Sequence, residues 1–480
     1  MEELEKLAAD ARVRVRREGS PDPAGSCVVY WMQRAQRGRD NPAFDVAIEA
    51  GNALGKPTVV FFAPVPFYRH ANLRHYRFLV EGIPDIAEAV ARRGAGFVLR
   101  RYPEHSLIKF CEEVRPALVV GDENPLRETE HWRELATKKL RAPLWTVDAD
   151  VVVPSRLFAK EQYAAFHFRR RMAPLLGEYL VASKNPRAKV PWKKPRGLES
   201  LPPTFDVTAG WELDRSVQPV TSFRGGSKEA QRLLREFVGK KLANYDKDRN
   251  HPEIDGTCRL SPYLHFGHIS PATVALAVQA ADAPQDQKES FLNELLTWRE
   301  LSINLVTFNP AYDSFECGEN WAHRTLAKHA KDKRPVVYTG KQMEDAETYD
   351  DLWNAAQVQM VEQGWMHNYM RMYWGKKILE WSKSPAEAHR LAVYMNDKYF
   401  LDGRDPNGYS GVAWSIVGKF DRPWFERPIF GQIRYMSGAS AAKKFDAAAY
   451  VRRWLGDRAG PHEEKTAQAG RPAMRRRRDE

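Results

Sequence analysis

Cysteine is scarce in this chain. Its 480 residues hold four, at positions 27, 111, 258 and 317, and no two are close in sequence. With no CxxC pair and no run of ligand residues, neither zinc nor an iron–sulfur cluster is expected. Four reduced thiols of a cytosolic protein are the simpler reading. Long apolar runs are missing too. No charge-free stretch of twenty apolar residues occurs, so no membrane span is expected. The N-terminal MEELEKLAADARVRVRREG lacks an apolar h-region, so no signal peptide is expected. A cytoplasmic location is expected, beside the nucleoid in a prokaryote. A third absence concerns nucleotides. No GxGxxG follows the first strand-like run, so the usual dinucleotide fingerprint is not there.

What is present is charge and aromatic surface. Lysine plus arginine number 74 against 62 aspartates and glutamates, a formal charge of +12. That excess favours a polyanionic partner, nucleic acid ahead of membrane. The 14 tryptophans and 18 tyrosines offer flat faces for stacking on rings or bases, and large cores use them as well. The length suits two domains.

Compact apolar runs, CVVYWM (27–32), PTVVFFAPV (57–65), GFVLRRYP (96–103), PALVVGDE (116–123) and APLWTVDAD (142–150), alternate with helical patterns such as AFDVAIEAGNALG (43–55). Strand–helix alternation of this kind predicts a parallel sheet covered on both faces. Residues 24–160 are therefore read as a Rossmann-like α/β domain, preceded by an extension, 1–23. Residues 161–225 connect it to the next domain. Their 183–222 stretch is rich in proline and lysine and suits a segment that wraps along a surface. From 226 to 456 helical periodicity dominates, which predicts a large all-helical domain. The tail, 457–480, has no apolar periodicity, carries four arginines at 475–478, and reads as disordered.

The helical domain holds the chemistry-bearing motifs. GWMHNYMRMYWGKKILEW (364–381) sets Trp374 and Trp381 seven residues apart, about 10 Å along one helix face. Trp353 lies in the preceding helical stretch. Such a row is ordinary core packing or a set of stepping stones for an electron. In TCRLSPYLHFGHISP (257–271), Ser261 before Pro262 reads as an N-cap with proline at the first helical position. A pyrophosphate would rest on Thr257, Leu260 and Ser261 at such a helix start. Tyr245 and Arg249 upstream are candidates to close on an anion. In ESFLNELLTWRELSINLV (289–306), Glu294 and Trp298 share a helix face. A carboxylate beside an indole in a core needs a partner, either a base-like ring or an arginine.

These strings, TCRLSPYLHFGHIS, ELLTWREL, LWNAAQ, WMHNYMRMYW and YFLDGRDPNGYSGVAW, resemble the photolyase–cryptochrome family. LWNAAQ and LDGRDPNGYSG resemble its class II cyclobutane pyrimidine dimer photolyases. The resemblance spans about residues 24–456. It implies FAD, reduced and anionic in the active state, folded inside the helical domain. Tyr245, Thr257, Leu260 and Ser261 stand where the family holds the phosphates. Arg299 resembles a further cofactor-side arginine, Arg371 and Asp402 an ion pair beside the flavin ring, and Asn396 a residue near its N5. Glu294, Asn368 and Met372 resemble dimer-contacting residues, with Arg249 also assigned to the substrate. Trp298 and Trp414 resemble the walls around the dimer, and Arg422 a residue that fills the bubble left by flipped bases. Trp374, Trp353 and Trp381 match the class II electron route, from proximal to distal. Cys258 stands where the family often has serine, which removes one phosphate-facing hydroxyl.

The resemblance implies light-driven cleavage of the dimer C5–C5 and C6–C6 bonds by an electron lent from reduced FAD. The partner is UV-damaged duplex DNA bound by a monomeric protein. The sheet domain resembles the family's antenna domain, where a deazaflavin or a folate sits, and no motif chooses between them. A cryptochrome-like photoreceptor and a non-enzymatic DNA-binding protein are the alternatives from other classes. A 6–4 photolyase is a nearer one, but its mechanism needs a histidine pair over the lesion, and HFGH (265–268) reads only as part of the cofactor motif.

Overall fold

The computed structural model describes residues 2–456. The tail reading, with arginines 475–478, lies outside the described residues. The N-terminal domain is built on a six-stranded sheet: β1 (Val13–Arg17), β2 (Val28–Trp31), β3 (Thr58–Phe62), β4 (Gly96–Leu99), β5 (Leu118–Asp122) and β6 (Leu144–Val147). The spatial order is β1-β6-β5-β2-β3-β4. β2 to β6 are parallel, with Val28 opposite both Thr58 and Leu118. Their apolar runs are continuous because both faces are covered: every residue of β3 and β5 is buried.

The segment expected as an N-terminal extension contributes an element of this sheet. β1 pairs antiparallel with β6 at the edge, Val13 opposite Val147. The fold is thus a mixed sheet with one antiparallel strand. VRVRR carries three arginines in five residues and only its Val13 is buried, so it lacks the apolar continuity of the other strands.

The strand order reverses between β2 and β5. There the buried Asp122 carboxylate accepts the backbone N–H groups of Gln33, Arg34 and Ala35 at 2.7–2.9 Å, and the Tyr30 hydroxyl at 2.7 Å. This fixes the loop after β2 and turns Arg34 towards the helical domain.

Beyond the Ala165–Met172 helix the connection runs without helix or strand from residue 180 to 226. It wraps the sheet domain, with the Ala188 N–H donating to the Arg93 carbonyl and that of Leu201 to Leu99, both at 2.8 Å. Trp192 lies flat on Gly96, where any side chain would collide with the indole.

The second domain is helical from Ser227 to Leu455. Its centre is the helices Asp351–Gln363, Asn368–Trp381, Pro385–Tyr399 and Pro406–Val417. Local chemistry sets their ends. Asp350 caps the first through the Trp353 N–H at 3.0 Å, and Asp405 caps the last through Asn407, ahead of Pro406. Gly364 and Gly418 close helices in the left-handed conformation. One expectation is corrected. Ser261 is the first residue of the Ser261–His265 helix, and Leu260 occupies the cap with no side-chain bond. Proline at the second helical position tolerates this, because the N–H it lacks is one of the unpaired ones.

Candidate functional site

A cavity of about 580 Å³ lies inside the helical domain. That is within the roughly 300–1,000 Å³ usual for small-molecule and cofactor sites. All the candidate residues line it except Trp353, Trp381 and Arg422. One end is polar. Tyr245, Thr257, Leu260 and Ser261 meet there with Cys258, and the Thr257 hydroxyl is buried without a partner. Burial raises the Tyr245 phenol above its ordinary range.

On the solvent side, Glu294 and Arg249 form an ion pair at 2.7 Å, each side chain about a quarter exposed. Arg249 also donates to Ser290 Oγ at 3.1 Å. Burial alone would lower the guanidinium, but Glu294 raises it. Both alternatives open in the sequence therefore meet in one group: Glu294 borders the cavity and has an arginine partner. The helix carrying it is not uniform. Asn293–Trp298 is a π turn between the helices Gln285–Leu292 and Arg299–Phe308. Such wide turns re-aim side chains, and here Glu294, Leu295 and Trp298 all reach the cavity.

The deeper wall comes from the Asn368–Trp381 helix, from Asn396 on the Pro385–Tyr399 helix and from the 400–405 turn. Arg371 Nη2 donates to both carboxylate oxygens of Asp402, at 2.8 and 3.0 Å, with its guanidinium 3.8 Å from the centre of the Phe400 ring. Asn396 donates to Asp397 at 3.0 Å. His367 caps the helix by accepting the Tyr369 N–H at 3.2 Å. Burial pushes its pKa down to about 4, so the ring is neutral and able to accept.

Arg299 borders the cavity, but its guanidinium is held by Asp150 of the N-terminal domain, at 2.6 Å to the carbonyl and 2.7 Å to the carboxylate. Asp150 and Asp405 both hold Arg34, at 2.9 and 2.8 Å, and His265 Nδ1 lies 2.9 Å from Asp405. Burial disfavours the Asp405 carboxylate, yet Arg34 and His265 hold it well below the usual carboxylate range. Gly267, with φ +70, lets the two domains touch at the Arg34 carbonyl. Asp405 caps the helix whose Asn407, Gly408, Ser410 and Gly411 face the cavity. The sheet domain thus positions a wall of the site through one arginine.

The tryptophans form a row leading from the cavity. Trp374 lines it, and its indole N–H donates to Gln357 at 2.8 Å. Trp353 Nε1 donates to the Trp374 carbonyl at 3.0 Å. Trp353 and Trp381 meet edge to face with ring centres 5.5 Å apart. Trp381 itself is fully buried, and Tyr338 and the exposed Tyr349 pack on it, each 5.5 Å away. Arg422 stands on an exposed loop outside the cavity.

One group behind the cavity wall was not anticipated. Lys376 is fully buried, its amine 4.4 Å from the centre of the Trp414 ring and donating to the Trp414 carbonyl at 3.2 Å. No carboxylate among the described residues pairs with it, and burial pushes it down to about 7.

Comparison with known proteins places this geometry. The profile of the family described as DNA photolyase matches residues 28–187. The Deoxyribodipyrimidine photo-lyase of Methanothermobacter thermautotrophicus is 41% identical over 448 residues, 93% of this chain and 98% of that protein. The rice protein of the same name is 40% identical over 92% of this chain and 90% of its own length. The chain belongs to the DNA photolyase family. Among solved structures, a bacterial class III photolyase from Agrobacterium tumefaciens superposes with a TM-score of 0.65 at 19% identity, covering 90% of this chain and 86% of its own. A Synechocystis cryptochrome gives 0.66 at 15%, covering 91% and 89%. At those identities the likeness is one of fold: a sheet domain followed by a large helical one.

The residues present fit the cofactor that the family implies. The unpartnered Thr257 hydroxyl and the helix start beside it suit a phosphate. At Gly411, which lines the cavity, an added Cβ would meet nothing within 4 Å, so the helix leaves open space on that side.

Proposed function

We propose that the protein uses light to repair cyclobutane pyrimidine dimers in DNA, as a class II photolyase with FAD in the helical-domain cavity. The observation that carries this reading is the convergence on one cavity of a carboxylate at its solvent side, tryptophan walls, and a buried indole row behind them. Near-full-length identity to proteins named deoxyribodipyrimidine photo-lyase supports it. Bound there in its reduced anionic form, FAD would supply the light-driven, returnable electron.

The chain's own residues do the rest. Tyr245, Thr257, Leu260 and Ser261 hold the phosphate end. The Arg371–Asp402 pair and Asn396 are assigned to the ring end, where a fixed guanidinium favours negative charge. Arg299, locked to Asp150, keeps that wall in place. Trp298 and Trp414 sandwich the extruded dimer and exclude water. Glu294 exchanges Arg249 for a hydrogen bond to the dimer, with Asn368 and Met372 lining its bed. The dimer's C5–C5 and C6–C6 bonds break and two ring double bonds are restored, with no net oxidation. Extrusion costs unpairing and unstacking, and a damaged step is already poorly stacked. The basic surface supplies salt-dependent attraction to the backbone. Trp381, Trp353 and Trp374 carry electrons inward to restore the active state, outside the repair cycle.

The test is the disappearance of thymine dimers from duplex DNA under blue light. A flavin-bearing protein that leaves them intact would be a photoreceptor of the cryptochrome kind. A protein purified without flavin would be a DNA binder. Cleavage of the 6–4 lesion alone would move the substrate.

A further inference from the structure

Residues 420–436 fold into a pinned loop at the rim of the cavity, to which Phe420, Asp421 and Arg434 contribute lining. The Trp424 N–H donates to the Gln432 carbonyl at 2.9 Å, and Arg427 and Gly431 exchange backbone bonds at 2.8–2.9 Å. The Glu426 carboxylate is held by Lys328 at 2.6 Å and His329 at 2.9 Å. The Trp424 indole is bonded to Asp421 and covered by Arg422 at 5.1 Å and Arg434 at 4.3 Å. Both neighbours of Phe425 are therefore tied down, yet Phe425 itself is 89% exposed, the most exposed of the large hydrophobic side chains described. A rigid loop that holds a bare phenyl ring in water gains nothing from it for its own folding. Arg422, Arg427 and Arg434 surround the ring in sequence, and among the described residues none of the three makes an ion pair. A ring with a π face, set beside a cavity among arginines that no described carboxylate neutralises, matches the way proteins stack on bases while holding the backbone.

We propose that Phe425 is a stacking finger that inserts against a base of the duplex next to the lesion, while Arg427 and Arg434 hold the phosphates and Arg422 keeps the bubble-filling place that the family resemblance gives it. This rests on the repair reading above, since it needs a duplex with a damaged step at the rim. A sequence-blind phosphate contact would act on all duplexes alike, whereas a ring that stacks on an unpaired or loosened base acts where the helix is already opened.

The experiment measures binding of the full-length, flavin-bearing protein to a 5′-labelled duplex with one thymine dimer and to the same duplex undamaged, across a salt series. For Phe425→Ala the affinity for the damaged duplex should fall roughly five- to 150-fold, the worth of one base–aromatic stack. Affinity for undamaged duplex and the salt slope should stay within about twofold, and Phe425→Trp should restore damage binding. A 2-aminopurine beside the dimer should be quenched by the wild type and less so by Phe425→Ala. Equal losses on both duplexes, or wild-type binding and quenching in Phe425→Ala, would overturn the finger while leaving repair intact. So would loss of a dimer of the protein itself in sedimentation, which would make the ring a self-association contact. If the wild type does not prefer damaged DNA, the repair reading and the finger fall together.

Discussion

Replacing Lys376 with methionine should stabilise the protein below pH 7 and lose that advantage as pH rises. The amine is fully buried, has no carboxylate partner among the described residues, and is brought from 10.5 to about 7 by desolvation. At 1.36 kcal/mol per pH unit that fall corresponds to about 5 kcal/mol of penalty for carrying the charge. The sign follows from proton counting. Between about 7 and 10.5 the unfolded lysine holds a proton that the folded one has lost. Stability of the wild type therefore rises with pH through that window, by up to about 1.4 kcal/mol per unit from this group. Below pH 7 the folded amine is protonated as well and the full penalty is present. Methionine removes it, but leaves the Trp414 carbonyl without its donor, at about 1–3 kcal/mol. It also gives up the ammonium–indole contact, at about 0.5–2 kcal/mol. The net gain at pH 6 is about 2 kcal/mol, reversing to a loss of about 1–2 near pH 10. Urea unfolding of wild type and variant at equal flavin content, from pH 6 to 10, reads the difference directly. A difference that does not vary with pH, or a variant weaker at pH 6, would refute the argument that this amine is charged at a cost beside Trp414.

Glu294→Gln should keep flavin but lower dimer affinity and quantum yield, by roughly 1–3 kcal/mol of a charge-assisted bond; unchanged values in both assays would remove Glu294 from the lesion contact. Trp374→Phe should abolish photoreduction of oxidised flavin, and Trp353→Phe and Trp381→Phe should slow it, as read by transient absorption. Repair from chemically reduced protein should survive all three, and wild-type photoreduction in Trp374→Phe would return the row to core packing. Arg34→Met leaves Asp150 and Asp405 without their shared cation, at about 3–5 kcal/mol for a broken buried pair. Urea unfolding and flavin content measured together should both fall, and a variant that keeps its stability would show that the domains are held elsewhere.

The strands β2 to β6 were legible because a strand buried on both faces is a bare apolar run, as TVVFF shows. β1 was not, since VRVRR, with three arginines in five residues, reads like any polar segment. The cavity-lining residues were legible through long motif strings. The π turn at 293–298 left no trace, because NELLTW has ordinary helical composition. The Arg34–Asp150–Asp405 bridge joins residues up to 371 positions apart, and nothing local marks such a pairing. Lys376 was hidden for the opposite reason: in WGKKILEW it looks like one of two solvated lysines. Only the helix register shows that both sit in the core, Lys377 against Glu380 at 2.7 Å and Lys376 under Trp414 with no acid beside it among the described residues.

The central claim rests most directly on one measurement: counting cyclobutane dimers in a defined duplex after incubation with the flavin-bearing protein in blue light and in the dark. Dimers should vanish in the light alone, with an action spectrum that follows the bound chromophore. Full flavin occupancy with the dimers untouched after prolonged illumination, under reducing conditions, would contradict it.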